Sequence, residues 1–429
     1  MRLDIIACPL ATCTRHGSSF YIMWHLQMKI LFLSAYYCLP PATGSRIRTM
    51  EILKSLSAKH DVTYVAFADD ERQLSSIEEA RQMCSDVKVV FREHRYSKMK
   101  LLKGLMVRTP FTILNYHDPE MARIAQDMQQ NADYDLIHAE GVFMAQYVDF
   151  SSARPYVLST HNIESTIMNR FAETTPNPAK RLYARLTHEK LNRYESEIMQ
   201  RFDRTLVVTE EEKLLATKMS PQAQVVVVPN GVDTEFFKPS PDIPEEANTL
   251  VFTGLMDSRS NVDGVLFFVR EILPLIRREV ADVKLRILGQ RPAAEVMALA
   301  EEPGIEVTGF VPDVRPPAQS AAVHVVPLRV GGGSRLKILQ ALALEGAVVS
   351  TSVGAEGLNL KPNEHFILAD DPAQFAKQTI SLLRNPSRRA ELGKIGRELV
   401  VKKYDWRTIT AVLPPLYEHL VECKKDSAS

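Results

Sequence analysis

The chain has 429 residues, 45% hydrophobic and 24% charged, with 52 basic and 52 acidic side chains. That length allows two or three domains with large cores, and the neutral balance gives no reason to expect a nucleic-acid partner. Five scattered cysteines (Cys8, Cys13, Cys38, Cys84 and Cys423) form no CxxC pair, which argues against a disulfide framework or a zinc site and fits a reducing, cytoplasmic setting.

No stretch is long and apolar enough to span a bilayer. The first 27 residues make a poor signal peptide, because their apolar run is broken by Pro9 and a polar tract. Met28 stands directly before a clean strand, so residues 1–27 are expected to be a disordered extension or a mis-assigned start. From there short apolar, β-branched runs alternate with helical stretches. "KILFLSAY" (29–36) reads as a buried strand and "SRIRTMEILKSLSAKH" (45–60) as its following helix. "DVTYVAFA", "DVKVVFRE", "YDLIHAE", "YVLSTHN" and "RTLVVTE" continue the series. This rhythm predicts a parallel sheet covered on both faces.

The rhythm pauses over residues 225–248, where Pro229, Gly231, Pro239, Pro241 and Pro244 break regular structure. It restarts with "TLVFTG", "VKLRILG", "GIEVTGF", "VHVVPL", "AVVSTS" and "HFILAD", and ends in a helical tail on both sides of Pro414 and Pro415. The expectation is two Rossmann-like α/β domains, 28–224 and 249–405, joined by a linker at 225–248 and followed by a tail at 406–429. Parallel sheets bind ligands at the carboxyl ends of their strands, so two such domains facing across a cleft make a two-substrate site.

The stretch "GGGSRLKILQALALEG" (331–346) places Arg335 and Lys337 at a helix start, where cations oppose the macrodipole. One reading is a bound anion, approached by glycine N–H groups and neutralised by the two side chains. The other is a solvated loop with two surface cations. A P-loop needs GxxxxGK[ST], which is absent. The turns after "KILFLSAY" and "TLVFTG" lack GxGxxG, which disfavours a dinucleotide oxidoreductase.

The remaining constellation resembles the family 4 glycosyltransferases of GT-B fold, from about residue 28 onward. "PNGVDTEFFKP" is similar to that family's interdomain signature. "VFTGLMDSRSNVDGVLFFVREILPLI" is similar to the start of its nucleotide domain, and "VTGFVPDVRPPAQSAAVHVVPLRVGGGSRLKILQALA" to the donor-binding block of its exopolysaccharide-making branch. The resemblance implies an acceptor-side first domain and a nucleotide-sugar-binding second domain. It also implies that Arg335 and Lys337 bind the donor diphosphate, with backbone contacts from Gly332, Gly333 and Ser334. Gly44 in "PPATGSRIR" would approach donor phosphate and acceptor. Arg48 fits the same pattern, its alternative being a surface cation on an amphipathic helix. His161 in "LSTHNIEST" would lie beside the transferred sugar, with Asn162 on the acceptor side. Glu164 reads as a helix-start residue.

Two departures stand out. Where relatives carry Glu-x7-Glu, this chain has Gly332 and Gln340. A neutral acceptor facing the ribose in place of a carboxylate costs on the order of 1 kcal/mol. Leu255 occupies the place of a phosphate-binding Arg beside Gly254, with Arg259 as the compensating cation. "DYD" (133–135) spells the DxD metal motif of another glycosyltransferase fold but precedes its strand, so no metal or cofactor is expected.

The resemblance implies a retaining transferase, moving a sugar from a nucleotide-sugar to a glycan or lipid-linked acceptor without a protein nucleophile. The rivals are a nucleotide-sugar epimerase of the same fold and a binding or assembly subunit that has lost catalysis. "SKMKLLKGLMVR" (97–108) carries Lys98, Lys100, Lys103 and Arg108 around a Leu/Met face. It reads either as a weak contact with an anionic membrane surface or as a helix packed on its own domain.

Overall fold

The computed structural model describes residues 27–92, 104, 106–330 and 336–428. The extension before residue 27, most of the 97–108 segment, and Gly332, Gly333, Ser334 and Arg335 therefore lie outside the described residues.

Thirteen strands among the described residues form two sheets, and every pairing within them is parallel. The first sheet holds β1 (Lys29–Ser34), β2 (Asp61–Ala68), β3 (Asp86–Phe91), β4 (Leu136–Glu140), β5 (Tyr156–Ser159), β6 (Arg204–Val207) and β7 (Val225–Val227). Its spatial order is β3-β2-β1-β4-β5-β6-β7. The second holds β8 (Glu246–Thr253), β9 (Lys284–Leu288), β10 (Ile305–Gly309), β11 (Ala321–Val326), β12 (Val348–Ser350) and β13 (Ile367–Leu368), ordered β10-β9-β8-β11-β12-β13. Each order reverses direction beside its first strand, between β1 and β4 and between β8 and β11. Such switch points open crevices at the strands' carboxyl ends.

Continuous apolar runs suit strands covered on both faces. Alternate residues of β1 serve two cores. Ile30 and Phe32 pack with Leu53 and Leu56 of the helix Gly44–Ser57, while Leu31 and Leu33 pack with Met121 and Leu191 on the other face. Thr43 caps that helix by accepting from Arg46 N–H.

Two boundaries differ from the sequence expectation. Val225–Val227 pairs with β6 as the last strand of the first sheet, and β8 begins at Glu246, so the connection is shorter than 225–248. The tail is helical from Trp406, as expected, and folds back on the first domain. Trp406, Ile409, Leu413, Tyr417, Leu420 and Val421 bury their side chains in the first domain's core, although they follow the second domain in the chain. Pro414 and Pro415 fall in the opening turn of the helix Leu413–Ala428, where a missing N–H is not needed. The two crossings between domains are stitched together, with Val232 N–H donating to Tyr404 O and Trp406 N–H to Val232 O.

Candidate active site

On the second domain the site is built by close backbone approach. A Cβ at Gly289, after β9, would lie 1.7 Å from the Gly254 carbonyl oxygen, and one at Gly254, after β8, 2.7 Å from Asn261 Nδ2. Only glycine lets these turns close on one another. Into the space beside them projects Lys337, from the first turn of the helix Leu336–Ala343, which carries no acid there. Its Nζ donates to Asn261 Oδ1 at 2.7 Å and sits 4.0 Å from the Phe252 ring centroid. Asn261 in turn donates from Nδ2 to Leu255 O at 2.9 Å. The cation is thus held in place at a helix start beside two strand ends, the arrangement that receives an anion.

A cavity of about 780 Å³ opens here between the domains, lined by Gly44 and Glu51 from the first and by Gly254, Lys337 and Gln340 from the second. Gly44 brings the domains together, since a Cβ there would stand 3.2 Å from Leu336 Cδ1. Arg259, exposed at the start of the helix Arg259–Phe267, instead lines a second interdomain cavity of about 680 Å³ with Asn162, Arg170, Arg329 and Glu356. Arg170 and Glu356 bridge its two walls at 2.9 Å.

On the first domain His161 follows β5, and its side chain is 14% exposed. It lines neither cavity; its neighbour Asn162 does. Its Nε2 lies 3.1 Å from Oε1 of Glu140, the fully buried last residue of β4. Burial alone would raise the Glu140 carboxyl. The hydrogen bond from His138 and the positive charges around it outweigh burial and hold the pKa down to about 2. Burial lowers His161 to about 4 against the pull of Glu140, with Arg48 and His138 adding to the lowering. The Arg48 and Glu140 charges oppose one another there, so burial decides and the imidazole is neutral at pH 7.

Arg48 is placed differently from its sequence assignment. It is fully buried, and its Nη1 donates to Val228 O at 2.7 Å and to Pro229 O and Asn230 Oδ1 at 3.2 Å. It stands behind the cleft and neither on its wall nor on the outer surface. Glu164 does open a helix, Glu164–Thr174, but burial and then Glu195 and Glu212 raise its pKa to about 8, so it is protonated at neutral pH. Asp135 sits at the amino end of β4 and accepts from Lys29 N–H, away from the strand ends that face the cleft.

Sequence reasoning missed Asn261, Glu140, His138 and Tyr417. The "HAE" alternation at the end of a buried strand was a signal for His138 and Glu140, since polar residues there require partners. Tyr417 carries no local signal, because its partner His138 is 279 residues away.

Two parallel-sheet domains facing across a cleft are the GT-B architecture. The chain belongs to glycosyltransferase family 4. Residues 42–236 match the family described as Glycosyltransferase Family 4, and residues 247–385 that described as Glycosyl transferases group 1. A relative described as an uncharacterized 44.6 kDa protein in the cps region of Klebsiella pneumoniae is 22% identical over 396 residues, spanning 89% of this chain and 97% of that protein. A GDP-mannose-dependent phosphatidylinositol monomannoside mannosyltransferase of Mycobacterium tuberculosis is 27% identical over 233 residues, 49% of this chain and 60% of its own. Among solved structures, sucrose-phosphate synthase from Thermosynechococcus elongatus superposes with a TM-score of 0.71 at 18% identity, covering 92% of this chain and 100% of that one. Anabaena HepE in complex with UDP gives 0.64 at 15% identity, covering 91% and 100%.

Proposed function

We propose that this glycosyltransferase moves a sugar from a nucleotide-sugar to a glycan or lipid-linked acceptor, with retention, in assembly of an exopolysaccharide or another cell-surface glycan. The observation that carries this reading is Lys337, fixed by Asn261 over Phe252 in the 780 Å³ interdomain cavity. Transfer builds negative charge on the leaving diphosphate, and a preorganised cation beside a helix start stabilises that charge more in the transition state than in the ground state. Arg335 would add a second cation, and Gln340, one turn on and lining the same cavity, would accept from the ribose. In this reading neither metal nor other cofactor is needed, and no side chain acts as nucleophile. The Klebsiella relative's place in a cps region and the capture of HepE with UDP-glucose support the pathway and the donor class.

Among the described residues no helix is long and apolar enough to cross a membrane. A weak peripheral contact at the inner face through 97–108 belongs to the same proposal. Met106 is exposed at the end of that segment, while Lys190 ties Gly104 O and Val107 O to the helix Pro178–Met199. Salt-reversible sedimentation with anionic but not neutral vesicles is expected; equal sedimentation with both removes the membrane from the proposal.

The deciding experiment incubates the protein with UDP-, GDP-, dTDP- and ADP-sugars, with and without lipid-linked acceptors, and measures released nucleotide. Acceptor-dependent release from one donor is expected. An altered sugar nucleotide formed without acceptor would mark an epimerase, and neither turnover nor nucleoside diphosphate binding would mark a subunit without catalysis.

A further inference from the structure

The helix Leu413–Ala428 follows the second domain in the chain but packs on the first, and one of its residues joins a buried polar line that ends at His161. The Tyr417 hydroxyl lies 2.6 Å from His138 Nδ1. The His138 ring stacks on Phe32 with centroids 4.1 Å apart, and its Nε2 lies 2.8 Å from Glu140 Oε2. The other oxygen of Glu140 is the one 3.1 Å from His161 Nε2. Tyr417, His138 and Glu140 are all fully buried.

The protons along this line follow from what each atom can do. A carboxylate only accepts, so His138 Nε2 carries a proton and donates to Glu140. On the other side of the ring, Nδ1 pairs with the Tyr417 hydroxyl, which can donate to it or accept from it. Glu140 Oε1 and His161 Nε2 are both buried and otherwise without a hydrogen-bond partner among the described residues. Their contact is favourable only when His161 Nε2 bears the proton, which leaves Nδ1 as its lone-pair nitrogen. The N–H is near the carboxylate but out of line with it, a geometry that tightens in many sites once substrate is bound.

We propose that Tyr417, His138 and Glu140 are positioning residues for His161, holding its imidazole in the Nε2-protonated tautomer with Nδ1 free to accept from a substrate hydroxyl. The last helix of the chain is then a working part of the first domain's half-site. The inference rests on the reading of His161 as a residue beside the transferred sugar, and its test includes an arm that needs no turnover.

The full-length protein, labelled with ¹⁵N-histidine, is compared with its Tyr417→Phe and Glu140→Gln variants. Tyr417→Phe removes one hydroxyl from a buried ring and is the milder change. Long-range ¹H–¹⁵N spectra without substrate are expected to report the Nε2–H tautomer at His161 in the unmodified protein and a tautomer mixture in each folded variant. With whichever donor the panel above turns over, Tyr417→Phe is expected to lower kcat on the order of tenfold while leaving donor KM within about twofold, the scale at which outer-shell partners of metal-bound histidines act. Unchanged His161 signals in Tyr417→Phe, or a kcat loss no larger than the loss of folded protein, overturns the positioning role. If no donor is turned over, the proposed function fails, and the spectra alone decide the line.

Discussion

Lys337 and Asn261 are joined by a 2.7 Å hydrogen bond from Nζ to Oδ1, and the same Asn261 amide donates to Leu255 O at the turn after β8. One asparagine therefore holds both the cation and the strand-end turn that frame the proposed diphosphate site. Hydrogen bonds to charged groups contribute about 1.5–3 kcal/mol, so Lys337→Ala is expected to weaken UDP or GDP binding by about tenfold or more. Asn261→Ala is expected to act in the same direction but less, because the cation remains and only its placement is lost. Calorimetric titration checks both; unaltered affinity in a folded Lys337→Ala protein would return the lysine to a structural part.

Gln340→Glu restores the charge that relatives carry at this position. If Gln340 faces the ribose, nucleoside diphosphate affinity rises, with about tenfold as the ceiling set by the charged-against-neutral difference. A drop in affinity in the same titration would mean that the side chain meets phosphate oxygens instead.

The glycines make a sharper structural test. Gly289→Ala would drive a methyl to 1.7 Å from a backbone oxygen, which no rotamer change relieves, so destabilisation of about 3 kcal/mol or more is expected together with loss of nucleotide binding. Gly309 is the control. Its φ is +65° but nothing lies within 4 Å of its missing Cβ, so Gly309→Ala should cost only about 1 kcal/mol of backbone strain. Urea midpoints that do not separate the two variants would refute the close-approach argument.

Much of this architecture was legible in the sequence, because parallel strands buried on both faces leave continuous apolar runs. "DVTYVAFA" is β2 residue for residue. The runs overreach at their carboxyl ends. "YVLSTHN" extends past Ser159 to Asn162 and "RTLVVTE" past Val207, and it is there that the chain leaves the ladder for the cleft. Lys337 and Gln340, which line the interdomain cavity, could be singled out in the sequence because helix-start charge and family pattern are local signals. The Tyr417–His138 contact and the burial of Arg48 were not, since both join segments more than 170 residues apart and depend on how the last helix folds back.

Glu164 gives the fold an alkaline weakness. Its pKa is raised to about 8 and that of Glu195 to about 7, in both cases mainly by burial, from an ordinary value near 4.5. The folded protein therefore keeps protons that the unfolded chain releases. The stability they contribute is complete below about pH 4.5 and drains as pH climbs through 7 to 8, at about 1.4 kcal/mol per pH unit for each group still protonated. Glu164→Gln should flatten the fall in melting temperature between pH 6 and 9. Parallel curves for the two proteins would show that Glu164 is ionised in the fold.

Arg48 is the strictest test of how the domains are held. Its guanidinium is buried in the helix Gly44–Ser57, ties that helix to the first residues of the interdomain connection, and is the positive charge that faces Glu140 and Glu212. Burial lowers its pKa and the two carboxylates oppose that, as expected of a charge kept inside by its partners. Arg48→Met fills much of the volume but leaves Val228 O without its donor and removes the positive charge that faces buried Glu140 and half-buried Glu212. Removing one partner from such a set costs about 3–5 kcal/mol, whereas a surface cation would cost within about 0.5 kcal/mol. Arg48→Lys should fall between, since it keeps the charge but must bring a shorter, differently shaped head group to the three acceptors that Nη1 reaches. Trp406, buried in the same core, makes the transition readable by fluorescence in urea. A midpoint for Arg48→Met equal to that of the unmodified protein would mean that the connection is held without it. The expected order of Arg, then Lys, then Met separates the contribution of the charge from that of its geometry.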